Sequence, residues 1–165
     1  MKKILLSLFL IVVSILLGSS YDTEPVTANK IIKIDKEKED FIPPVEQLAH
    51  QFMNQLIQST DEHYRVKDFQ SKEQFITSFI DIAKLEVASM YVDYYYYEEG
   101  GNLFVVPTDA PPWFEKDNPY SLMEVSKYSY RLTQENESEF HGTYIIHIDY
   151  KYEDGKWHIE NVEYN

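Results

Sequence analysis

The dipeptide Asp154-Gly155 constrains this chain more than any other feature, because it separates two runs of alternating apolar and polar residues. A two-residue type I′ turn needs positive φ at both central positions, and Asp-Gly tolerates that at low cost. The turn predicts a β-hairpin and sets its register: Glu153 opposite Lys156, Tyr152 opposite Trp157, Lys151 opposite His158, Tyr150 opposite Ile159, Asp149 opposite Glu160, Ile148 opposite Asn161 and His147 opposite Val162. Side chains alternate along a strand, so two faces separate. One carries Tyr144, Ile146, Ile148, Tyr150, Tyr152, Trp157 and Ile159 and is expected to wall a core, with Trp157 buried against Tyr152, Tyr150 and the first helix. The other carries His147, Asp149, Lys151, His158 and Glu160, all titratable.

At the other end, Met1-Lys2-Lys3 is a short basic start, and Ile4 to Leu17 is an apolar run broken only by Ser7 and Ser14. That pattern predicts a secretory signal peptide over residues 1–20; the run is shorter than the roughly 20 apolar residues of a spanning helix. Gly18-Ser19-Ser20 and Val26-Thr27-Ala28 both offer small residues to a peptidase, and the choice between them stays open, as does a retained anchor. The expected location is secreted or at the cell envelope, with no stable membrane insertion after cleavage. The chain contains no cysteine, which excludes a lipid-modified cysteine, disulfides, thiol catalysis and thiolate metal ligation.

The formal charge is −13, and removal of residues 1–20 with Lys2 and Lys3 takes it to −15. Such a surface repels nucleic acid and anionic headgroups, so neither is an expected partner. Residues 21–42 mix charges with little periodicity, Lys33 to Asp40 being nearly all charged, and read as a flexible linker. The remainder, residues 43–165, suits one α+β domain.

Order is expected from Pro43-Pro44, since proline suits the first turn of a helix. Val45, Leu48, Ala49, Phe52, Met53, Leu56 and Ile57 then repeat at helical spacing and form one apolar stripe, leaving His50 off it as a solvated histidine. Ser71 with Gln74 matches a capping box and starts a second helix over Phe75, Ile76, Phe79, Ile80 and Ala83. The pattern changes phase near Ile82 to Leu85, predicting a break before Ala88, Tyr91, Val92 and Tyr95, and Gly100-Gly101 is expected to end the helical part. The tyrosines at 94–97 are read as amphipathic residues on a helix at its boundary with the sheet.

Asn102 to Val106 is expected as a short strand. Pro107-Thr108-Asp109-Ala110-Pro111-Pro112-Trp113-Phe114 follows as a stiff loop, in which three prolines lower the entropy cost of presenting two large aromatics. Burial of those aromatics as a plug is favoured over a binding lip. Leu122 to Val125 reads as a short turn or helix, Tyr128 to Gln134 as a half-buried strand, and Gln134 to Glu139 as the polar tip leading into the strand before Asp154.

Helices followed by an antiparallel meander ending in Asp154, Gly155, Lys156, Trp157 and Ile159 resemble the nuclear-transport-factor-2-like, or SnoaL-like, superfamily of cone-shaped α+β domains. Within it the chain looks most like small exported Gram-positive domains of unknown function, for which Pro107-Thr108 and Pro111-Pro112-Trp113 look like a signature. The resemblance implies N-terminal helices packed on a curved antiparallel sheet of about four strands, a cystatin-like cone. It implies no activity, because none of the superfamily's catalytic positions has a local motif here to carry it over.

Function must then be sought in the residues. The candidates for ligand binding are Tyr91, Tyr95, Trp113 and Phe114 among the aromatics, and His147, Asp149, His158 and Glu160 on the charged hairpin face. Opposed carboxylates at 149 and 160 could raise one pKa for general acid work, share a divalent cation, or be held apart in water by Lys151 and the histidines. Two carboxylates fall short of the six to eight oxygens of a calcium shell, and no nucleophile-base motif or phosphate loop is present, so no metal or cofactor is expected. The sequence favours a non-catalytic binding or assembly module for a protein or small ligand of the envelope; a small hydrolase or isomerase using the acidic and histidine cluster in a cone pocket is the alternative.

Overall fold

A computed structural model describes residues 41–165. The predicted signal peptide, its expected cleavage point and nearly all of the predicted linker lie outside the described residues. Phe41, expected as linker, is packed against Tyr128, Tyr152 and Trp157, with ring centroids 5.5, 4.7 and 5.4 Å away.

The chain is α+β, with short helices, a two-stranded sheet and a four-stranded antiparallel sheet. Helix α1, Val45–Leu56, begins directly after Pro44 and buries Val45, Leu48, Ala49, Phe52 and Leu56 of the predicted stripe; Met53 is partly buried, and Ile57, just past the helix end, is exposed. Helix α2, Lys72–Thr77, is capped by the Ser71 hydroxyl, which accepts from the Gln74 amide. The return half of the box is displaced, because the Gln74 side chain takes the amide of Gln70 and not that of Ser71. The expected break falls between α2 and helix α3, Leu85–Tyr95.

Helix α3 ends at Tyr95, the second of the four consecutive tyrosines 94–97. Tyr96–Glu99 is strand β1, paired with β2, Asn102–Val105, across Gly100-Gly101. The two glycines have φ of +58° and +74°, so they form a hairpin turn and not the helix terminator expected from sequence. Tyr96 is buried and its hydroxyl donates to the Leu56 carbonyl; burial pushes that phenol up to about 12.

The larger sheet runs in the order β3-β4-β5-β6, formed by Tyr120–Ser126, Ser129–Ser138, Gly142–Glu153 and Lys156–Tyr164. The segment read as a turn or helix at Leu122–Val125 is therefore the edge strand β3. Its misreading has a physical cause: six of its seven residues are exposed, so no core face imposes alternation. Strand β4 extends to Ser138, which makes Gln134 and Asn136 sheet residues and not a tip; they are 1% and 3% exposed.

The closing hairpin forms as predicted from Glu153↔Lys156 to Tyr150↔Ile159, with Asp154 and Gly155 at φ +52° and +83°. The register then shifts. Asp149 pairs with Asn161, Ile148 with Val162, and His147 with Glu163. One extra residue on β6, Glu160, is accommodated as a β-bulge. The bulge turns both Ile159 and Val162 inward, at 0% and 5% exposure, although three positions separate them. Without it Val162 would share the charged face and Ile148 would oppose an asparagine.

Helical and sheet residues share one core. The Tyr150 hydroxyl donates to the Val45 carbonyl of α1 at 3.2 Å, and Tyr150 itself is fully buried. The outer edge of β6 is covered by the connection before α3: Ile159 donates to the Ile82 carbonyl and Lys84 to the Ile159 carbonyl. Trp157 is only half-buried, and its aromatic partners are Phe41, Tyr130 and Tyr152.

Candidate functional site

The eight residues singled out from sequence separate into groups that do not converge. Trp113 is a core residue contributed by a loop: it is 7% exposed, stacks on Phe52 at 4.9 Å and 15°, and donates its indole N–H to the Ala49 carbonyl at 3.0 Å. The plug expected of the proline-rich loop is thus observed for this residue. Tyr91 meets the indole edge-on at 5.6 Å, and its hydroxyl donates to Tyr164, which donates in turn to the Pro112 carbonyl. Burial drives the Tyr91 phenol far above its ordinary range, so it stays neutral. Tyr95, one turn on, lines a separate small recess of about 200 Å³ with Leu56 and Val106.

What holds the loop is a pair of buried amides that the sequence presents as unremarkable polar residues. Gln134 accepts from the Glu115 amide at 2.8 Å and donates to the carbonyls of Glu115 and Asn118 at 2.7 and 2.9 Å. Asn136 donates to the Trp113 carbonyl and to Gln134 Oε1, and accepts from the Asn118 side chain. Tyr144 also donates to the Trp113 carbonyl, at 2.7 Å. A loop with three prolines offers few amide donors of its own, so side chains from β4 and β5 supply its missing partners. No buried side-chain nitrogen or oxygen among the described residues lacks a partner. A clue was available in the alternation of β4: Gln134 and Asn136 continue the face of Leu132.

Phe114 differs from its neighbour. It is half-buried, meets Tyr120 edge-on at 5.5 Å, and flanks a cleft of about 690 Å³ between the outer side of α1 and the loop. Met53, His50 and Glu46 line the helix side; Pro111, Phe114, Glu115 and Lys116 line the loop side. None of the helix-side residues was a candidate from sequence: Glu46 and His50 lie off the apolar stripe, where a helix usually faces water, and Met53 was assigned to the stripe itself. The His50 ring accepts from Asn54 Nδ2 at 3.1 Å.

The charged face of the sheet is engaged with itself. Asp149 does not oppose Glu160; its two oxygens accept from Arg131 Nε and Nη2, each at 2.6 Å, in a bidentate pair. Arg131 sits opposite Asp149 on β4 and also lies 3.7 Å from Glu163, and these carboxylates hold its guanidinium further protonated. His147 contacts the Thr133 hydroxyl through Nδ1 at 2.9 Å and the Asn165 amide through Nε2 at 3.1 Å, an arrangement that the neutral Nδ1–H tautomer satisfies. Glu160, displaced by the bulge, accepts from Lys84 at 3.0 Å and lies 3.4 Å from His158. Burial works to raise the Glu160 carboxyl, but the hydrogen bonds from Lys84 and His158 outweigh it and hold it below the usual range. Among the described residues no group of three or more His, Asp or Glu is placed to hold a metal ion, and no helix is long and apolar enough to cross a membrane.

The geometry thus gives an open charged face whose groups are already paired, and a separate cleft that joins apolar surface to a few polar groups. No protein-family model matches this sequence, and no curated protein matches it.

Proposed function

We propose that this protein is an exported, non-catalytic binding module whose ligand enters the cleft between α1 and the proline-rich loop. The observation that carries the reading is the contrast between Trp113 and Phe114. The same stiff loop buries the first ring as an anchor and leaves the second half-open beside a cleft of about 690 Å³, the arrangement of a preformed site with little left to order on binding. Export is supported by the basic start and apolar run of Met1 to Leu17 and by the absence of cysteine. The order of helices followed by a β-meander supports the nuclear-transport-factor-2-like resemblance, with the helices on the concave side of a cone-like sheet. The catalytic alternative draws least support, since Asp149 and Glu160 have separate partners and His147 is held by Thr133 and Asn165.

The test is a displayed library of short peptides selected on the immobilised protein. Clones enriched on the wild type should be lost on Phe114→Ala and kept on Asp149→Asn. The opposite pattern would move the site to the charged sheet face and end the cleft reading.

A further inference from the structure

The two edges of the four-stranded sheet are treated differently. Beyond β6 lies the Ile82–Lys84 connection, which takes up the Ile159 backbone on both its donor and acceptor sides. Beyond β3 no described strand lies, and β3 is an outermost strand of the sheet. An edge strand presents a row of backbone donors and acceptors, and proteins usually blunt it with lysine, proline or a covering element. Strand β3, YSLMEVS, contains neither lysine nor proline, and its only irregularity is the bulge at its far end between Glu124 and Ser126. Met123 and Val125 are each 58% exposed there.

This edge begins at the cleft. Tyr120, the first residue of β3, meets Phe114 edge-on and directs its hydroxyl at Glu46 Oε1, 3.5 Å away. A strand laid along β3 would therefore carry a side chain into the space beside Phe114. We propose that the protein receives an extended, lysine- or arginine-bearing peptide segment of a partner, which adds to the sheet along Tyr120–Glu124 and places one residue in the cleft; this rests on the cleft reading above. Main-chain pairing supplies affinity in such a mode, and pockets for alternate side chains supply selectivity. Charge selects the occupant. The chain carries 28 acidic against 15 basic residues, and Glu46 and Glu115 line the cleft against one lysine, Lys116, so the balance there is acidic and draws in a basic strand. A second copy fits worse: its own β3 holds no basic residue, and two copies would meet with like net charge.

The test uses purified protein produced from the full-length chain and two synthetic nonapeptides, alternating lysine with valine or glutamate with valine. Hydrogen exchange at Tyr120–Ser126 should slow with the lysine peptide and not with the glutamate one, and Phe114→Ala and Met123→Lys should each weaken the lysine peptide by roughly tenfold. Slowing confined to α1 and the proline-rich loop would refute the edge and leave the cleft reading standing. Equal binding of both peptides, or of neither, would overturn the proposal. So would protection of β3 that rises with protein concentration in the absence of peptide, which would assign the edge to a second copy. Because the peptide comparison is made on the wild type, it decides the matter even if a variant fails to fold.

Discussion

The two tryptophans stand in opposite relations to their local sequence. Trp157 lies in a regular hairpin, on the apolar face of an alternating strand, yet it is half-exposed at the open end of the sheet among Phe41, Tyr130 and Tyr152. Trp113 lies in an irregular loop between prolines, yet it is 7% exposed, stacked on Phe52 and hydrogen-bonded at its indole N–H. Periodicity assigns a residue to a face; depth within that face depends on where the other layer ends. Helix α1 starts at Val45 beside Tyr150, and beyond that point toward the turn Phe41 packs on Tyr152. A loop residue has no periodicity to read, so its burial is set by what the loop can satisfy, here through Gln134, Asn136 and Tyr144.

The contrast yields a ranking. Trp113→Ala should cost about 3–5 kcal/mol, the range for deleting a large aromatic from a closed core, and would consume much of the 5–15 kcal/mol typical of a domain. Gln134→Leu comes next, at about 2–3 kcal/mol, because it strands a buried amide and two carbonyls of the loop. Trp157→Ala should cost about 2 kcal/mol, roughly half the closed-core figure, since water already reaches part of the ring. Chemical unfolding of the three variants checks the order; a Trp157→Ala loss equal to that of Trp113→Ala would break the comparison.

Much of the fold is legible from residues alone. The stripe from Val45 to Leu56, the phase change before Leu85 and the Asp154-Gly155 turn each rest on a local rule that tertiary structure did not override. The failures share a cause in non-local partners. Strand β3 shows no alternation because its surroundings are solvent, and Tyr96–Glu99 continues a tyrosine run whose change from helix to strand depends on pairing with β2. The bulge was the most instructive loss. Ile159 and Val162, three apart, cannot share one face of a regular strand, so the spacing itself announced an extra residue. Missing it put Asp149 opposite Glu160 and suggested a carboxylate pair, whereas Asp149 has Arg131 and Glu160 has Lys84.

The sign of a single substitution tests that correction. Were Asp149 opposed to a carboxylate, Asp149→Asn would relieve repulsion and stabilise slightly. With the bidentate Arg131 pair it should instead destabilise, by about 1 kcal/mol for a partly exposed pair, with no response to calcium. Thermal unfolding of the variant with and without calcium measures both.

The smallest effect belongs to the bulged residue and appears only against pH. The Glu160 carboxyl is held below its ordinary value of 4.5, with the Lys84 and His158 hydrogen bonds outweighing burial. A carboxyl whose folded pKa is depressed contributes stability that is fully present above the unfolded value and is lost as the pH falls through the folded one. Glu160→Gln should therefore melt below the wild type near neutrality, and the difference should shrink as the pH falls below about 4.5 and vanish once both proteins carry a neutral side chain there. The Lys84 ammonium, whose pKa is raised by Glu160, stays charged throughout that window. A gap that persisted unchanged to the acid end would mean that Glu160 matters for its shape in the bulge and not for its charge, and the ion pair with Lys84 would then carry no stability.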